Sequence, residues 1–284
     1  MKPDLGFRNF SLSIVWFWLF LFALLPFCMV VIASFMSHNE NMLVQPVFTL
    51  DNYRFLNNHI YIRIFEKSLL IAGLATFLCL VLGYPFAYII ARTESTWKNI
   101  LILLVIIPFW TSSLIRSYAL IAIIKAKGIF NSVLIALGII HQPLSILFTN
   151  YAVTIGLVYN LLPFMILPIM TNVERLDDRL VDAARDLGAN RFTTFSKVII
   201  PLTMPGIIAG CILVFLPAMT IFYITDILGG AKSILLGNLI QNQFLIAQNW
   251  PMGSALSTVL TLLLISLILI YLWSSRGSKK REWL

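Results

Sequence analysis

Six apolar stretches, near residues 12–36, 66–91, 99–124, 144–171, 203–226 and 252–273, are each long enough to cross a lipid bilayer. A helix rises about 1.5 Å per residue, so about 20 apolar residues span a hydrocarbon core of roughly 30 Å. Lipid donates no hydrogen bonds, so a crossing segment must satisfy its own peptide groups, and an α-helix does so within one segment. The sequence therefore reads as an all-α polytopic membrane protein with six transmembrane helices in one domain, 1–284. With 60% hydrophobic and 11% charged residues, it leaves no room for a soluble catalytic domain. The first run contains Pro26 and lacks a small-x-small cleavage site, so it is expected to be a retained span rather than a signal peptide.

Lys and Arg positions set the orientation. A cytoplasmic N-terminus puts thirteen of them inside: Lys2, Arg8, Arg92, Lys98, Arg175, Arg179, Arg185, Arg191, Lys197, Arg276, Lys279, Lys280 and Arg281. Six fall outside: Arg54, Arg63, Lys67, Lys125, Lys127 and Lys232. The bias predicts that both termini and the 174–201 loop are cytoplasmic. The net charge of +8 then reflects topology and contact with anionic headgroups of the bilayer, not nucleic acid.

Cys28, Cys79 and Cys211 all lie in apolar runs, where a thiol behaves as a small hydrophobe, so they say nothing about redox compartment. Pro85, Pro108, Pro163, Pro168 and Pro217 interrupt the spans. Each removes a backbone hydrogen bond, which suits a translocation path, although prolines are common in membrane helices. In the first outer loop, about 37–64, the segment 48–56 reads as a short interfacial helix capped by Asp51 or Asn52.

Ionisable groups within a membrane are costly unless they face water or a partner. Asp226 and Glu66 are the acids at or near a span on the outer side, and Arg116 is the basic residue well inside one. Glu66 also reads as a cap at the start of its span, and Arg116 as a structural partner to a carbonyl or acid. Counting from Lys98 places Trp110 about 18 Å along the third span, close to or just beyond its middle. Tyr223 and Asp226 are three residues apart, hence on one helical face of the outer third of the fifth span, where they could form an entrance. Tyr159 and Asn160 are near mid-depth in the fourth span. For Trp110 and the tyrosines, helix packing or an interfacial belt is the competing reading, and mid-depth placement argues against the belt for Trp110 and Tyr159.

The polar insert between the fourth and fifth spans is patterned as a helix. Leu176, Leu180, Ala183, Ala184 and Leu187 share a face, Asp177 and Asp178 suit the positive end, and Gly188 suits the C-terminal cap. Asn190 can cap a second short helix. A capped polar helix inside an apolar chain reads as a docking element.

Asp182-Ala183-Ala184, Gly188 and Val198-Ile199-Ile200-Pro201 resemble the cytoplasmic motif of ATP-binding-cassette importer permeases: Glu-Ala-Ala, three residues, Gly, nine residues, Ile-x-Leu-Pro. Asp182 for Glu, Val198 for Ile and Ile200 for Leu are chemically similar departures. The segments 48–53, 108–116 and 201–211 narrow the resemblance to permeases of spermidine and putrescine importers. It implies a type I importer permease fold in the bacterial inner membrane, a second permease subunit, an ATPase dimer and a periplasmic polyamine-binding protein. It also implies that Asp182, Ala183, Ala184, Gly188 and Pro201 belong to a coupling helix that fits a groove of the ATPase.

Nucleotide chemistry is assigned to a partner on the same grounds. The chain has no Gly-x4-Gly-Lys-Ser/Thr loop, and Gly229-Gly230-Ala231-Lys232-Ser233 lacks its second glycine. No cofactor is expected on this chain; ATP and Mg belong on the ATPase. A polyamine wants a few acids for its ammonium groups and aromatic faces for its methylenes, and Asp226, Tyr223 and Trp110 supply those types. They also suit an amino acid or another small solute. Among rival classes, an intramembrane enzyme lacks support, because His38, His59 and His141 lie in loops or near interfaces and no metal-ligand spacing occurs. A secondary transporter or channel has no use for a capped docking helix, and co-purification of an ATPase would separate a receptor or scaffold from a permease.

Overall fold

The computed structural model describes residues 5–39, 42–230 and 233–279. Lys2, Lys232, Lys280, Arg281 and the centre of the Gly229–Ser233 segment fall outside these. Six helices among the described residues are long and apolar enough to cross a membrane: Asn9–Ser34, His59–Arg92, Ser113–Ala136, Asn150–Glu174, Arg191–Thr220 and Trp250–Leu269. The chain divides into two compact units, residues 1–62 with 239–284, and residues 63–238.

The first unit begins with α1 (Leu5–Leu19), a π-turn over Phe20–Leu24 and α2 (Leu25–Ser34). Pro26 explains the π-turn: its ring would clash with the carbonyl four residues back, at position 22, and widening the turn there relieves it. A two-stranded antiparallel hairpin follows, β1 (Met36–Asn39) and β2 (Met42–Phe48), with Met36 opposite Phe48. Among the described residues this hairpin is the one departure from the all-α expectation. Next comes α3 (Asp51–Leu56), whose cap differs from the expected Asp51 or Asn52. Thr49 Oγ1 accepts the Asp51 amide at 3.1 Å and donates to the Asp51 carboxylate at 2.8 Å. Asn52 is instead buried, its amide donating to the carbonyls of Ser34 at 3.0 Å and Met36 at 2.8 Å. It thereby satisfies the end of α2 where the chain leaves helical geometry. The long α13 (Trp250–Lys279) packs on α2, the hairpin and α3.

The 34-residue α4 (His59–Arg92), which tolerates Pro85, belongs to the second unit from Arg63 onward. The span expected over 99–124 is divided: α5 (Ser95–Ile106), a 3-10 turn Ile107–Trp110, a non-helical step at Thr111–Ser112, then α6 (Ser113–Ile124) and α7 (Ile129–Ala136). Pro108 sits in the tightened turn, which is where the ladder fails. The fourth span begins at residue 150 rather than 144, because Thr149 caps α8 (Asn150–Glu174) by accepting the Ala152 amide at 3.4 Å. The 174–201 loop carries α9 (Asp178–Asp186) and α10 (Arg191–Thr194). After α10 the expected short helix continues, through a π-turn at Phe195–Ile199, into α11 (Ile200–Thr220) as one run of 30 residues. Pro201 again follows the π-turn, with the carbonyl it would strike at position 197. The fifth span does not reach 226: Ile221 is extended, and a separate helical turn occupies 223–229. The chain then enters α12 (Leu236–Leu245).

The core of this unit is the antiparallel pair α8 and α11, with α4 alongside. Between membrane helices close packing supplies most of the attraction, so small residues sit where backbones approach. Met165 of α8 is seated between two of them: a Cβ at Gly83 would meet its Cγ at 3.1 Å, and one at Gly210 its Sδ at 2.7 Å. Gly206 is less forgiving, since its Cβ would stand 2.8 Å from the Pro168 carbonyl, which is backbone and cannot rotate away.

Gly206→Val should therefore cost about 1–3 kcal/mol by overpacking, while Gly73→Val, where a Cβ meets nothing within 4 Å, should cost almost nothing. Thermal unfolding of the two variants in detergent checks this; equal midpoints would contradict the packing assigned to Gly206.

Candidate functional site

Two regions carry polar chemistry at positions that packing alone does not require. The first is the 174–201 loop. Asp177 starts α9 by accepting the Arg179 amide on its side chain at 3.0 Å. At the other end, the Gly188 amide donates to the Arg185 carbonyl at 2.8 Å and the Ala189 amide to the Ala184 carbonyl at 3.0 Å. These two bonds form a Schellman motif, with Gly188 in the left-handed region at φ +83°. Asn190 then caps the next run, accepting the Thr193 amide at 2.7 Å.

Ion pairs hold this loop to the helices beside it. Arg92, at the end of α4, bonds Asp178, and Lys98 of α5 meets Glu174 at 3.1 Å. These side chains are partly exposed, Asp178 most of all, and such pairs contribute roughly 1 kcal/mol each, so they orient the loop more than they stabilise it. Val181 is buried, and with Tyr88, Arg92, Asp178, Asp182 and Arg185 it lines a cavity of about 350 Å³. Further along, Phe195 sets its ring edge-on to Tyr84 at 5.5 Å, whose hydroxyl bonds Thr203 at 3.0 Å.

The face expected from Leu180, Ala183 and Leu187 points away from this support. Leu187 is 89% exposed, and Phe192, which the sequence reading did not single out, is 78% exposed. Val181 occupies the inward face, one residue out of phase with Leu180, so the apolar positions serve two faces. Asp182 is exposed with its carboxylate 3.5 Å from Arg185, Ala183 is exposed, Ala184 is half-buried, and Pro201 stands in the first turn of α11.

The second region is the break after α11. The last helical bond there runs from the Ile221 amide to the Pro217 carbonyl at 2.9 Å. Beyond it the Phe222 carbonyl accepts the Asp226 amide at 3.0 Å and the Asn238 side-chain amide at 3.1 Å. The same Asn238 nitrogen donates to the Asp226 carboxylate. Asp226 is exposed and Tyr223 half-buried, and both lie on a short turn beyond α11 rather than on a continuous span.

The remaining sequence candidates are dispersed. Trp110 ends the 3-10 turn with 79% of its surface uncovered by the rest of the chain. Tyr159 and Asn160 part company: Tyr159 is exposed, whereas Asn160 is buried and its amide bonds the Gly156 carbonyl at 2.9 Å. Glu66 is exposed and lies two turns inside α4, because the helix begins at His59, so it is not a cap. Arg116 does not pair with a carbonyl or acid; its guanidinium lies over the Phe109 ring at 5.5 Å, and buried Nε and Nη1 have no hydrogen-bond partner among the described residues.

The family described as binding-protein-dependent transport system inner membrane component matches residues 80–281, which include both regions. The chain belongs to this family. Its similarity to individual relatives extends further. It is 49% identical over 266 residues, 93% of each chain, to the spermidine/putrescine transport system permease protein PotB of Haemophilus influenzae. It is 47% identical to the protein of that name from Salmonella typhimurium, over 99% of this chain and 98% of the relative. The fold is shared with a crystal structure of a bacterial ABC transporter that imports the acidic polysaccharide alginate, with a TM-score of 0.74 over 97% of this chain and 96% of that one, at 15% identity. As a binding-protein-dependent transport component, the chain is a multi-pass protein of the inner membrane.

The Gly188 geometry yields a direct test. Gly188→Ala should cost the loop about 1–2 kcal/mol through the left-handed backbone alone, since no atom lies within 4 Å of its Cβ. Hydrogen exchange at the Gly188 and Ala189 amides should accelerate about tenfold, with exchange in α8 unchanged.

Proposed function

We propose that this protein is the membrane permease subunit of an ATP-driven importer of spermidine and putrescine. It forms half of a translocation pathway with a second permease and receives polyamine from a periplasmic binding protein. The observation that carries this reading is 47–49% identity, over nearly the whole chain, to relatives named for that transport system. The chemistry is compatible with it: one acid at a helix break, with aromatic side chains rather than a carboxylate cluster, gives a cation a weak resting place from which it can leave.

In this reading the 174–201 loop faces the cytoplasm and its uncovered Leu180, Leu187 and Phe192 are buried by an ATPase subunit, which binds ATP and Mg and hydrolyses the nucleotide. An exposed apolar patch on a rigid, doubly capped helix suits a partner's groove, and Asp182 is placed beside it for a basic group. Closure of the ATPase dimer moves the loop, and the continuous run from Arg191 to Thr220 carries that displacement to the break. Asp226, Tyr223, Trp110, Tyr159 and Glu66 are the side chains proposed for the polyamine path. Asn160, buried in this conformation, joins them only if the path opens between its helices.

Reconstitution in vesicles with the ATPase, second permease and binding protein should give ATP-dependent uptake of labelled spermidine that excess amino acid does not suppress; uptake of amino acid alone would overturn the polyamine assignment. In that system Gly188→Pro or Asp182→Lys should leave the chain inserted and uncouple ATP hydrolysis from uptake. Asp226→Asn should slow uptake without reducing complex assembly, and unaltered kinetics would remove Asp226 from the path.

A further inference from the structure

We infer that Asn238 is a positioning residue for polyamine recognition: it holds the Asp226 carboxylate at the break in the fifth span, in the orientation that meets an ammonium group. This rests on the polyamine reading above and adds a residue that no motif identifies.

The amide of Asn238 is fully committed. Its nitrogen has two hydrogens, one directed to the Phe222 carbonyl at 3.1 Å and the other to the Asp226 carboxylate, and its oxygen accepts the Leu235 amide at 3.2 Å. Two acceptors on one side and a backbone donor on the other also fix which end of the amide is which, because a flipped amide would set its oxygen against a carbonyl and a carboxylate. Asn238 is only 3% exposed, so water does not compete for these bonds.

The surroundings explain why the side chain cannot drift. Gly237 is pressed against the end of α11 so closely that a Cβ there would lie 2.3 Å from the Thr220 carbonyl oxygen. The Leu236 amide is held by the Ser68 hydroxyl of α4 at 2.8 Å. The far end of the 223–229 turn is fixed separately, by the Phe148 amide donating to the Leu228 carbonyl at 2.9 Å. Asp226 therefore sits on a short turn braced at both ends. One carboxylate oxygen is used by Asn238, and the residue remains exposed, which leaves the rest of the group available to a cation.

A charge-assisted bond that orients a carboxylate without neutralising it preserves its attraction for an ammonium group and removes the entropy of aiming it. The end of α11 adds to this, since its last carbonyls carry the negative pole of the helix and favour a cation nearby.

The test is a double-mutant cycle on the assembled four-component importer in vesicles, reading KM and maximal rate for labelled spermidine. Asn238→Ala should raise KM about tenfold with assembly and ATP-driven closure retained, and Asn238→Ser, which keeps one donor, should recover part of that loss. Combined with Asp226→Asn, Asn238→Ala should add almost nothing, because its effect passes through the carboxylate. Additive effects, or a fall in maximal rate or assembly at constant KM, would make Asn238 a purely structural clamp and overturn the inference. Should Asn238→Ala not assemble, the Asn238→Ser cycle decides by the same criterion. Failure of the polyamine reading is separate, since the wild-type complex would then take up no spermidine.

Discussion

A peptide group in lipid has no partner but the protein, and the positions where this chain cannot supply the regular helical bond shape the fold. Three of them trace to proline. Pro26 and Pro201 are each preceded by a π-turn that contains the carbonyl four residues back, so the helix widens and continues. At Pro108 the chain tightens into a 3-10 turn and then leaves helical geometry, whereas α11 ends at the extended Ile221 with the Ile221 amide still bonded to the Pro217 carbonyl. Widening preserves a span as a rod; stopping creates a joint. Just beyond that joint in the fifth span, Asn238 adds a second hydrogen bond to the Phe222 carbonyl, which already accepts the Asp226 amide.

Glycine lets the rods pack tightly against one another. Gly83, Gly206 and Gly210 allow α4, α8 and α11 to close on Met165 and on the Pro168 carbonyl, with no slack for one helix to slide on another. The helical run that begins at Arg191 is thus clamped through its middle while its two ends do different work, one beside the capped 174–201 loop and the other at the break. A 30-residue run is about 45 Å long, so a small angular change at one end is a displacement of ångströms at the other.

What the sequence made legible is what local chemistry encodes. Hydropathy found six spans, and the caps at Asp177, Gly188 and Asn190 all appear with the hydrogen bonds their residue types suggest. Periodicity was a poorer guide to direction: Leu180 and Leu187 lie on the uncovered face and Val181 beneath, because α9 carries apolar residues for two partners. Counting residues along assumed straight helices misplaced Tyr223 and Asp226, since the apolar run continues past Thr220 and nothing in it marks Ile221 as the point where the helix ends. Glu66 failed as a cap for a similar reason: apolar content begins near residue 66, but the backbone is helical from His59. Asn238 was invisible because its partners lie 12 and 16 residues away and meet only through tertiary packing.

The break in the fifth span also limits how motion can pass along it. Asn238 ties the Phe222 carbonyl, just past the end of α11, to the Asp226 carboxylate on the turn beyond. Any tilt of α11 must either carry the turn with it or open those bonds. Opening them costs more than in water, because Asn238 is buried and no solvent replaces its lost partners. Carrying the turn is the cheaper course, and it moves a carboxylate together with the helix end whose carbonyls favour the same charge. A joint of this kind holds its local geometry while its position changes, so a cation near Asp226 would meet the same pair of negative groups wherever the helix has moved.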